Sequence, residues 1–146
     1  MHSLRVEQPD DDRRLEDWRQ VHNAIIPTHP LTLDEVRERA GRNHLEVAYL
    51  DDVAVGCSTV RPPSGGEPAV VIARVLPDYR RRGFGAELYA RGLERARALG
   101  AGPVGTIILA SNVDGLRFAV ANGFVEVERY VLPGDTIPYV TLTLPA

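Results

Sequence analysis

The sequence predicts an α/β fold in which helices cover both faces of a mixed sheet of six or seven strands. Two strand-length segments, residues 69–76 and 104–110, are nearly all apolar, as buried central strands are. The strongly amphipathic segment 83–99 separates them and predicts a helix. Such a strand–helix–strand unit places parallel strands at the centre of the sheet, whereas the hairpins toward both ends of the chain are antiparallel.

The N-terminal part predicts one strand and two helices. Residues 3–7 alternate between polar and apolar side chains, which indicates a short strand. Three consecutive aspartates then open a helix that ends near residue 25, because carboxylates favour the positive end of a helix dipole. Thr32 and Glu35 have the spacing of a capping box, so a second, short helix follows and ends near residue 42.

Turn residues divide the rest of the chain. Asp51 and Asp52 separate two strand-like segments by a two-residue hairpin turn. Gly100 and Gly123 follow amphipathic segments and predict left-handed helix ends. The predicted strands are residues 45–50, 53–60, 69–76, 104–110, 124–132 and 139–144, and the helices are residues 83–99 and 112–123.

Composition narrows the class of protein. The 146 residues match one domain, and 44% hydrophobic with 25% charged residues is ordinary for a globular chain. A net charge of −3 disfavours nucleic acid as a partner, and the absence of lysine excludes a lysine Schiff base.

Cys57 is the only cysteine, which excludes an internal disulfide, and the histidines lack metal-ligand spacing, so no metal is expected. The opening residues lack the apolar core of a signal peptide, and no segment could span a membrane, so we expect a cytoplasmic protein without a membrane partner.

One loop between a predicted strand and a predicted helix consists of residue types that favour anion binding. Three arginines, Arg80 to Arg82, precede Gly83 and Gly85. Glycines let the backbone approach a ligand, and the first N–H groups of a helix are unpaired donors. Guanidinium groups add charge-assisted hydrogen bonds. The loop therefore predicts a phosphate or pyrophosphate site, although it matches neither the P-loop pattern nor the Rossmann glycine pattern.

Two longer patterns carry a family resemblance. Residues 75–85 match V-x-P-x-x-R-x-x-G-x-G, and residues 112–124 match N-x-x-[AG]-x-x-F-x-x-x-x-G-F. Both resemble motifs of the GNAT superfamily of N-acetyltransferases, the first being its acetyl-CoA signature. The predicted element order agrees with that family over nearly the whole chain. The resemblance implies a GNAT-type fold for a single domain over residues 1–146, with acetyl-CoA as co-substrate.

The resemblance also implies residue roles. Val75 and Leu76 would pair through their backbones with the pantetheine arm between two splayed parallel strands, and the Val75 N–H would polarise the thioester carbonyl in an oxyanion-type role. Asn112 would bond to pantetheine or to an ordered water, in addition to capping its helix. The full set implied to bind the cofactor is Val75, Leu76, Arg80, Arg81, Arg82, Gly83, Phe84, Gly85, Ala86, Asn112 and Phe118.

The catalytic acid departs from the family pattern, and the base is not assigned. Ala119 stands where the family usually has a tyrosine that protonates the CoA thiolate. A thiol of pKa about 8.5 leaves fairly well unassisted, so this change does not forbid catalysis. The family often uses a glutamate on the strand before the signature as base, and residues 69–76 contain none. Candidates for the acid are Tyr130 and Tyr139, and candidates for the base are Glu67, His29, Glu126 and Asp135.

The sequence leaves three functions open. The first is an acetyl-CoA-dependent N-acyltransferase that moves an acetyl group to a primary amine by direct attack in a ternary complex. Its acceptor would be a small-molecule or peptide amine, and the acidic balance favours a cationic one. The second is a catalytically weak or inactive CoA-binding or regulatory module, which the missing tyrosine and strand carboxylate motivate. The third is a basic-loop interaction protein without CoA. Dimers are common in the family, so a homodimer is allowed, although the sequence carries no interface signal.

Overall fold

The computed structural model describes residues 4–100 and 102–145, which build a seven-stranded mixed sheet with helices on both faces. The strands are β1 (Leu4–Glu7), β2 (His44–Leu50), β3 (Val53–Arg61), β4 (Ala69–Val75), β5 (Val104–Leu109), β6 (Val125–Tyr130) and β7 (Tyr139–Leu144). The helices are α1 (Asp12–Ile25), α2 (Leu33–Arg42), α3 (Phe84–Ala98) and α4 (Val113–Ala121), with one 3-10 turn at Pro77–Tyr79.

The strand order is β1-β2-β3-β4-β5-β7-β6. β4 and β5 are parallel, which confirms the central strand–helix–strand unit, and the other neighbouring pairs are antiparallel. The last strand, β7, inserts between β5 and β6, an order that the sequence analysis does not give. The predicted first strand begins at residue 3, which lies outside the described residues.

Local signals place most element ends within one or two residues. The Thr32–Glu35 capping box is present in full at the start of α2. Asp51 and Asp52 form the predicted two-residue turn, because Leu50 pairs with Val53. The predicted strand 69–76 is one residue too long. It ends at residue 75 because Pro77 begins the 3-10 turn, which the sequence analysis missed.

The two faces of the sheet hold different helices. Gly56 and Cys57 are neighbours on β3 and therefore face opposite sides. Cys57 packs in a cluster with Trp18 of α1, whereas a Cβ placed on Gly56 would lie 3.2 Å from Leu88 Cδ1 of α3. Helices α1 and α2 thus cover one face and α3 covers the other, where Phe118 of α4 packs as well. Over the described ranges, every helix is too short or too polar to cross a bilayer.

Candidate functional site

A groove opens where the two parallel strands separate. β4 and β5 pair only at Ala69 with Val104 and at Val70 with Gly105, within the described residues. Beyond these pairs the strands diverge toward their carboxyl ends and leave a groove of about 430 Å³. Its walls come from β4, the loop before α3, α3, β5 and α4, namely Ala73, Arg74, Val75, Arg80, Arg81, Gly83, Gly85, Ala86, Tyr89, Ile108, Asn112, Asp114, Gly115, Arg117 and Phe118.

The backbone of Val75 faces this groove. Leu76 N–H donates to the Val55 carbonyl at 2.9 Å, so the next facing pair, Gly56 with Val75, is a non-hydrogen-bonded pair of the antiparallel ladder. The N–H and C=O of Val75 therefore point away from β3 and toward the gap. The carbonyl accepts a hydrogen bond from Arg80 Nε at 2.8 Å, and the N–H is left directed at the groove.

The backbone of Leu76 is already hydrogen-bonded within the protein, although the resemblance implies that it pairs with the pantetheine arm. The N–H of Leu76 is already bonded to Val55, and its carbonyl accepts the Tyr79 N–H at 2.9 Å. Leu76 therefore lacks a free backbone donor for a ligand, because its N–H belongs to the sheet. Ala73 lies two residues before Val75, faces the same side, and lines the groove. The polar backbone that faces the gap is that of Ala73 and Val75.

The start of α3 forms one end of the groove. Arg81 and Gly83 both have left-handed backbone angles, with φ values of 64° and 82°. Gly83 is the N-cap and provides no side-chain acceptor, and the first intrahelical bond runs from the Glu87 N–H to the Gly83 carbonyl. The N–H groups of the first turn thus remain donors at the positive end of the dipole. This is the arrangement that binds a phosphate or pyrophosphate.

The arginines of this loop have different surroundings. Arg80 and Arg81 line the groove and lie 3.5 Å and 4.0 Å from the Asp114 carboxylate of α4. Arg82 does not line the groove, because its guanidinium lies over the Tyr79 ring, 5.4 Å from the ring centroid. The Phe84 side chain is likewise outside the groove, in the core cluster with Leu88. For Arg82 and Phe84, a cofactor contact through the backbone stays a prediction.

The N-terminus of α4 forms the opposite wall. Asn112 Oδ1 accepts the Gly115 N–H at 3.0 Å, which is an N-cap, and Asn112 also lines the groove. A Cβ on Gly115 would lie 2.6 Å from Asn112 Nδ2, so the glycine is needed for this close approach. Phe118 lines the groove one turn further along and stacks on Tyr89, with ring centroids 5.1 Å apart.

Four of the six candidate acid and base residues meet at one place beside the groove, where Tyr139 interacts with Arg74 of the groove wall. His29 Nε2 lies 2.5 Å from Asp135 Oδ2, although the two residues are 106 positions apart in the chain. The His29 ring lies 5.9 Å from the Tyr139 ring, which stacks on Tyr130 at 5.7 Å. Burial is the main cause that raises the pKa of the Tyr139 phenol above its usual range. We refer to His29, Asp135, Tyr130 and Tyr139 as the polar cluster.

The remaining candidates lie elsewhere. Glu67 is exposed in the loop before β4 and so lies about 20 Å from Val75, at the other end of that strand. Glu126 is exposed on the edge strand β6 and pairs with Arg129 at 2.9 Å. The structure does not bring either carboxylate to the groove, because the loop and the edge strand face solvent. Ala119 is fully buried in the core and presents no proton donor.

Seven groove residues are absent from the predicted set, and two of them, Tyr89 and Arg74, carry polar side chains in the strand and helix that form the gap; the others are Ala73, Ile108, Asp114, Gly115 and Arg117. Tyr89 projects from α3 into the groove wall, and its hydroxyl lies 3.2 Å from Thr106 Oγ1. Arg74 lines the groove from β4, the central strand of the site. Tyr89 has no distinguishing signal in its helix, but Arg74 has one: it is the single charged residue of an otherwise apolar buried strand. Among the residues described, no group of three or more His, Cys, Asp or Glu side chains could hold a metal ion.

Comparison with known proteins identifies the family. A sequence model of the Acetyltransferase (GNAT) family matches residues 6–124. The chain belongs to the GNAT acetyltransferase family. A search of curated proteins finds no match.

Solved GNAT-like structures share the fold of this GNAT protein. The structure of yncA from Salmonella typhimurium with its cofactor acetyl-CoA is 16% identical, with a TM-score of 0.75 over 97% of this chain and 93% of that one. An N-acetyltransferase from Staphylococcus aureus Mu50 is 16% identical, with a TM-score of 0.76 over 98% of both chains. The ribosomal-protein-S18-alanine N-acetyltransferase from Escherichia coli is 15% identical, with a TM-score of 0.76 over 98% and 94%. At these identities the likeness concerns the fold.

The groove of this GNAT protein fits acetyl-CoA. The free N–H groups of the first turn of α3, beside Arg80 and Arg81, suit a pyrophosphate. The gap between β4 and β5 presents the backbone of Ala73 and Val75, as an extended amide-containing arm requires. A Cβ on Gly83 would meet nothing within 4 Å, so the cradle is open above the glycine.

Proposed function

We propose that this protein is an acetyl-CoA-dependent N-acetyltransferase that acetylates an amine by direct attack in a ternary complex. The observation that carries the proposal is the divergence of β4 and β5, which leaves the Val75 N–H aimed into a groove that ends at the unpaired N–H groups of α3. A bound acetyl-CoA supplies the acetyl group as a thioester. The chain's own residues hold it, polarise it and remove the proton of the amine.

Val75 provides electrophilic assistance in this proposal. Its N–H donates to the thioester carbonyl oxygen, where negative charge develops as the amine nitrogen bonds to the carbonyl carbon. The donor is fixed by the β3–β4 ladder and needs no rearrangement. The carbon–sulfur bond then breaks and CoA departs as the thiolate. The acetylated nitrogen loses its extra proton, which balances the proton that the thiolate takes up, so the products are the amide and the CoA thiol.

His29 is the proposed base. In this proposal the Asp135 carboxylate accepts the Nε2–H of His29, so that Nδ1 is the ring nitrogen that takes a proton. A primary amine with a pKa of about 10.4 is almost fully protonated at neutral pH, so its ammonium proton has to be removed before attack. His29 Nδ1 accepts that proton, directly or through one water. Asp135 acts through His29 and is a positioning residue.

Tyr139 is the proposed proton donor for the thiolate. It lies next to His29, and as a phenol whose pKa burial raises further it carries its proton at neutral pH. It thereby takes the place that the buried Ala119 cannot fill. A thiolate of ordinary basicity does not require this proton in order to leave, so its contribution is smaller than that of the base.

The test is acetyl transfer itself. The purified protein is incubated with acetyl-CoA and a panel of amines, and both the released CoA thiol and the N-acetyl product are measured. Amine-dependent thiol release with a product of the expected mass supports the proposal. The intact mass of the protein after incubation with acetyl-CoA alone is expected to be unchanged, because no acetyl-enzyme forms.

Two results would contradict the proposal. An acetylated protein that passes its acetyl group to a later-added amine would replace direct attack by a covalent mechanism. Binding of acetyl-CoA without transfer to any amine would instead support a CoA-binding or regulatory module. The peptide or small-molecule nature of the acceptor, the homodimer, the single domain 1–146 and the cytoplasmic location stay predictions.

A further inference from the structure

Arg74 is a charged residue to which the described part of the chain presents no opposite charge. It lies on β4 directly before Val75, and the β3–β4 register pairs it with Cys57. Its side chain therefore projects from the α1/α2 face of the sheet, where Cys57 packs. Arg74 thus lines the groove and also interacts electrostatically with Tyr139 of the polar cluster.

The groups that surround Arg74 are neutral or positively charged. From β3, α3 and β7 it faces the Cys57 thiol and the phenols of Tyr89 and Tyr139. The positive charge of Arg74 also helps to lower the pKa values of His22 on α1 and Arg39 on α2. Within residues 4–100 and 102–145, no Asp or Glu carboxylate forms an ion pair with it.

An uncompensated guanidinium at a groove wall is a costly arrangement. A buried charge needs a partner, and burial already lowers the pKa of Arg74. The other arginines of the groove, Arg80 and Arg81, have the Asp114 carboxylate nearby. Arg74 differs from them in lacking such a partner and in standing at the reacting end of the groove instead of at the end that suits a pyrophosphate.

We propose that Arg74 binds a carboxylate of the acceptor, and that the acceptor is a small amino acid whose carboxylate lies close to the acetylated amine. This inference rests on the proposed function. Arg74 and Val75 are adjacent along β4, with Cα atoms about 3.8 Å apart, so the anion and the attacked carbonyl are held in neighbouring places. A planar guanidinium also matches a carboxylate in two parallel hydrogen bonds.

The local charge therefore outweighs the overall charge of the chain. A net charge of −3 by itself favours a cationic acceptor. That preference applies to long-range attraction, which salt screens over about 10 Å. Next to Arg74 the neighbouring charge is that of Arg39, and the Asp135 carboxylate of the polar cluster is already paired with His29, so the acceptor that Arg74 suits carries a negative group.

The experiment compares matched acceptors on the full chain. Each set contains a free amino acid, its carboxamide and the corresponding amine without a carboxyl group, for small, aliphatic, aromatic and acidic side chains. kcat/KM for acetylation is measured for wild type, Arg74→Met and Arg74→Lys. The control is Arg97→Met, which removes one exposed arginine of α3 outside the groove.

Wild type is expected to prefer the free amino acid over its carboxamide by about ten- to hundred-fold, the worth of a charge-assisted hydrogen bond. The carboxamide has the less basic amine, so this preference cannot come from amine protonation. Arg74→Met should abolish the preference, mainly through KM for the amino acid, and Arg74→Lys should restore part of it. Arg97→Met should retain it.

Several outcomes would overturn the inference. One is equal use of all three members of a set by wild type. Another is an equal loss for all three members in Arg74→Met, which would assign Arg74 to the thioester. A third is a loss of thermal stabilisation by acetyl-CoA in that variant, which would assign it to the cofactor.

Failure of the proposed function is recognised separately. If no amine is acetylated by any variant, acetyl transfer itself is refuted. The inference is then judged by thermal unfolding with the amino acids and CoA present. Stabilisation of wild type but not of Arg74→Met supports an anion site at Arg74, and its absence overturns the site as well.

Discussion

Replacing His22 by phenylalanine should remove a specific part of the acid sensitivity of this fold. His22 is 4% exposed, and its ring stacks on Trp18 with centroids 5.4 Å apart. Burial, together with the positive charge of Arg74, lowers its pKa from 6.5 to about 4. Phenylalanine keeps the ring and cannot be protonated. Asn23 keeps its hydrogen bond from the Leu31 N–H when the imidazole is gone.

The sign and the size of this pH effect on stability follow from the difference between the pKa of His22 in the folded and in the unfolded state. Because the folded state disfavours the charged ring, the stability held by His22 is complete above pH 6.5 and is lost as the pH falls toward 4. At about 1.4 kcal/mol per pH unit, the loss is roughly 3 kcal/mol. Other groups titrate over the same range, so the quantity to compare is the difference between the two proteins.

The assay is urea unfolding at pH 7, 5.5 and about 4, with wild type and His22→Phe measured in parallel. The gap between their free energies of unfolding should change by roughly 3 kcal/mol in favour of the variant as the pH is lowered. The Arg74→Met variant should lose less stability at acid pH than wild type, because it lacks the second cause of the lowered pKa of His22. Parallel curves for wild type and His22→Phe would refute the reasoning.

Two further substitutions test the site and the packing. His29→Gln should lower kcat/KM for acetyl transfer at pH 7 by about 10²- to 10⁴-fold, with less loss at high pH, where the amine is already neutral. The control, His44→Gln, also breaks a histidine–carboxylate contact (3.3 Å) and should leave kcat/KM unchanged. The same loss in both variants would argue against a base at His29. Gly92→Ala should lower Tm by roughly 4–8 °C, because its Cβ would lie 2.4 Å from Val71 Cγ1. The control is Gly41→Ala in another helix, where an added Cβ would meet no atom within 4 Å, and it should not lower Tm. A Tm for Gly92→Ala equal to that of wild type would show that the strand moves to accommodate the added methyl group.

The parts of the fold that depend on local signals could be predicted from the sequence. The α2 capping box, the Asp51–Asp52 turn and the amphipathic α3 are all written within a few neighbouring residues. The parallel pairing of β4 and β5 follows from the helix between them. The place of β7 between β5 and β6 does not follow, because an antiparallel strand can pair on either side without a change in its own sequence pattern.

The candidate site likewise contains residues that the sequence can locate and residues that only the fold brings together. The groove residues at the start of α3 and α4 lie in contiguous motifs, so the sequence could locate them. The contact of His29 with Asp135 joins two loops 106 residues apart, and no local pattern specifies it. Glu67 is a plausible base by chain position alone, but the length of β4 carries it to the far end of the strand. Arg74 is detectable as a charge in an apolar strand, but only the structure shows that none of the described carboxylates pairs with it.

The most direct measurement of the central claim is thermal unfolding with and without acetyl-CoA. At about 100 times its Kd the ligand should add roughly 2.7 kcal/mol, which raises Tm by several degrees for a chain of this size. Arg81→Ala should weaken the shift and Arg97→Ala should not, because only the first lines the groove. Gly83→Val should weaken it too, since valine resists the φ of 82° at that position. A Tm that does not move at millimolar acetyl-CoA would contradict the account.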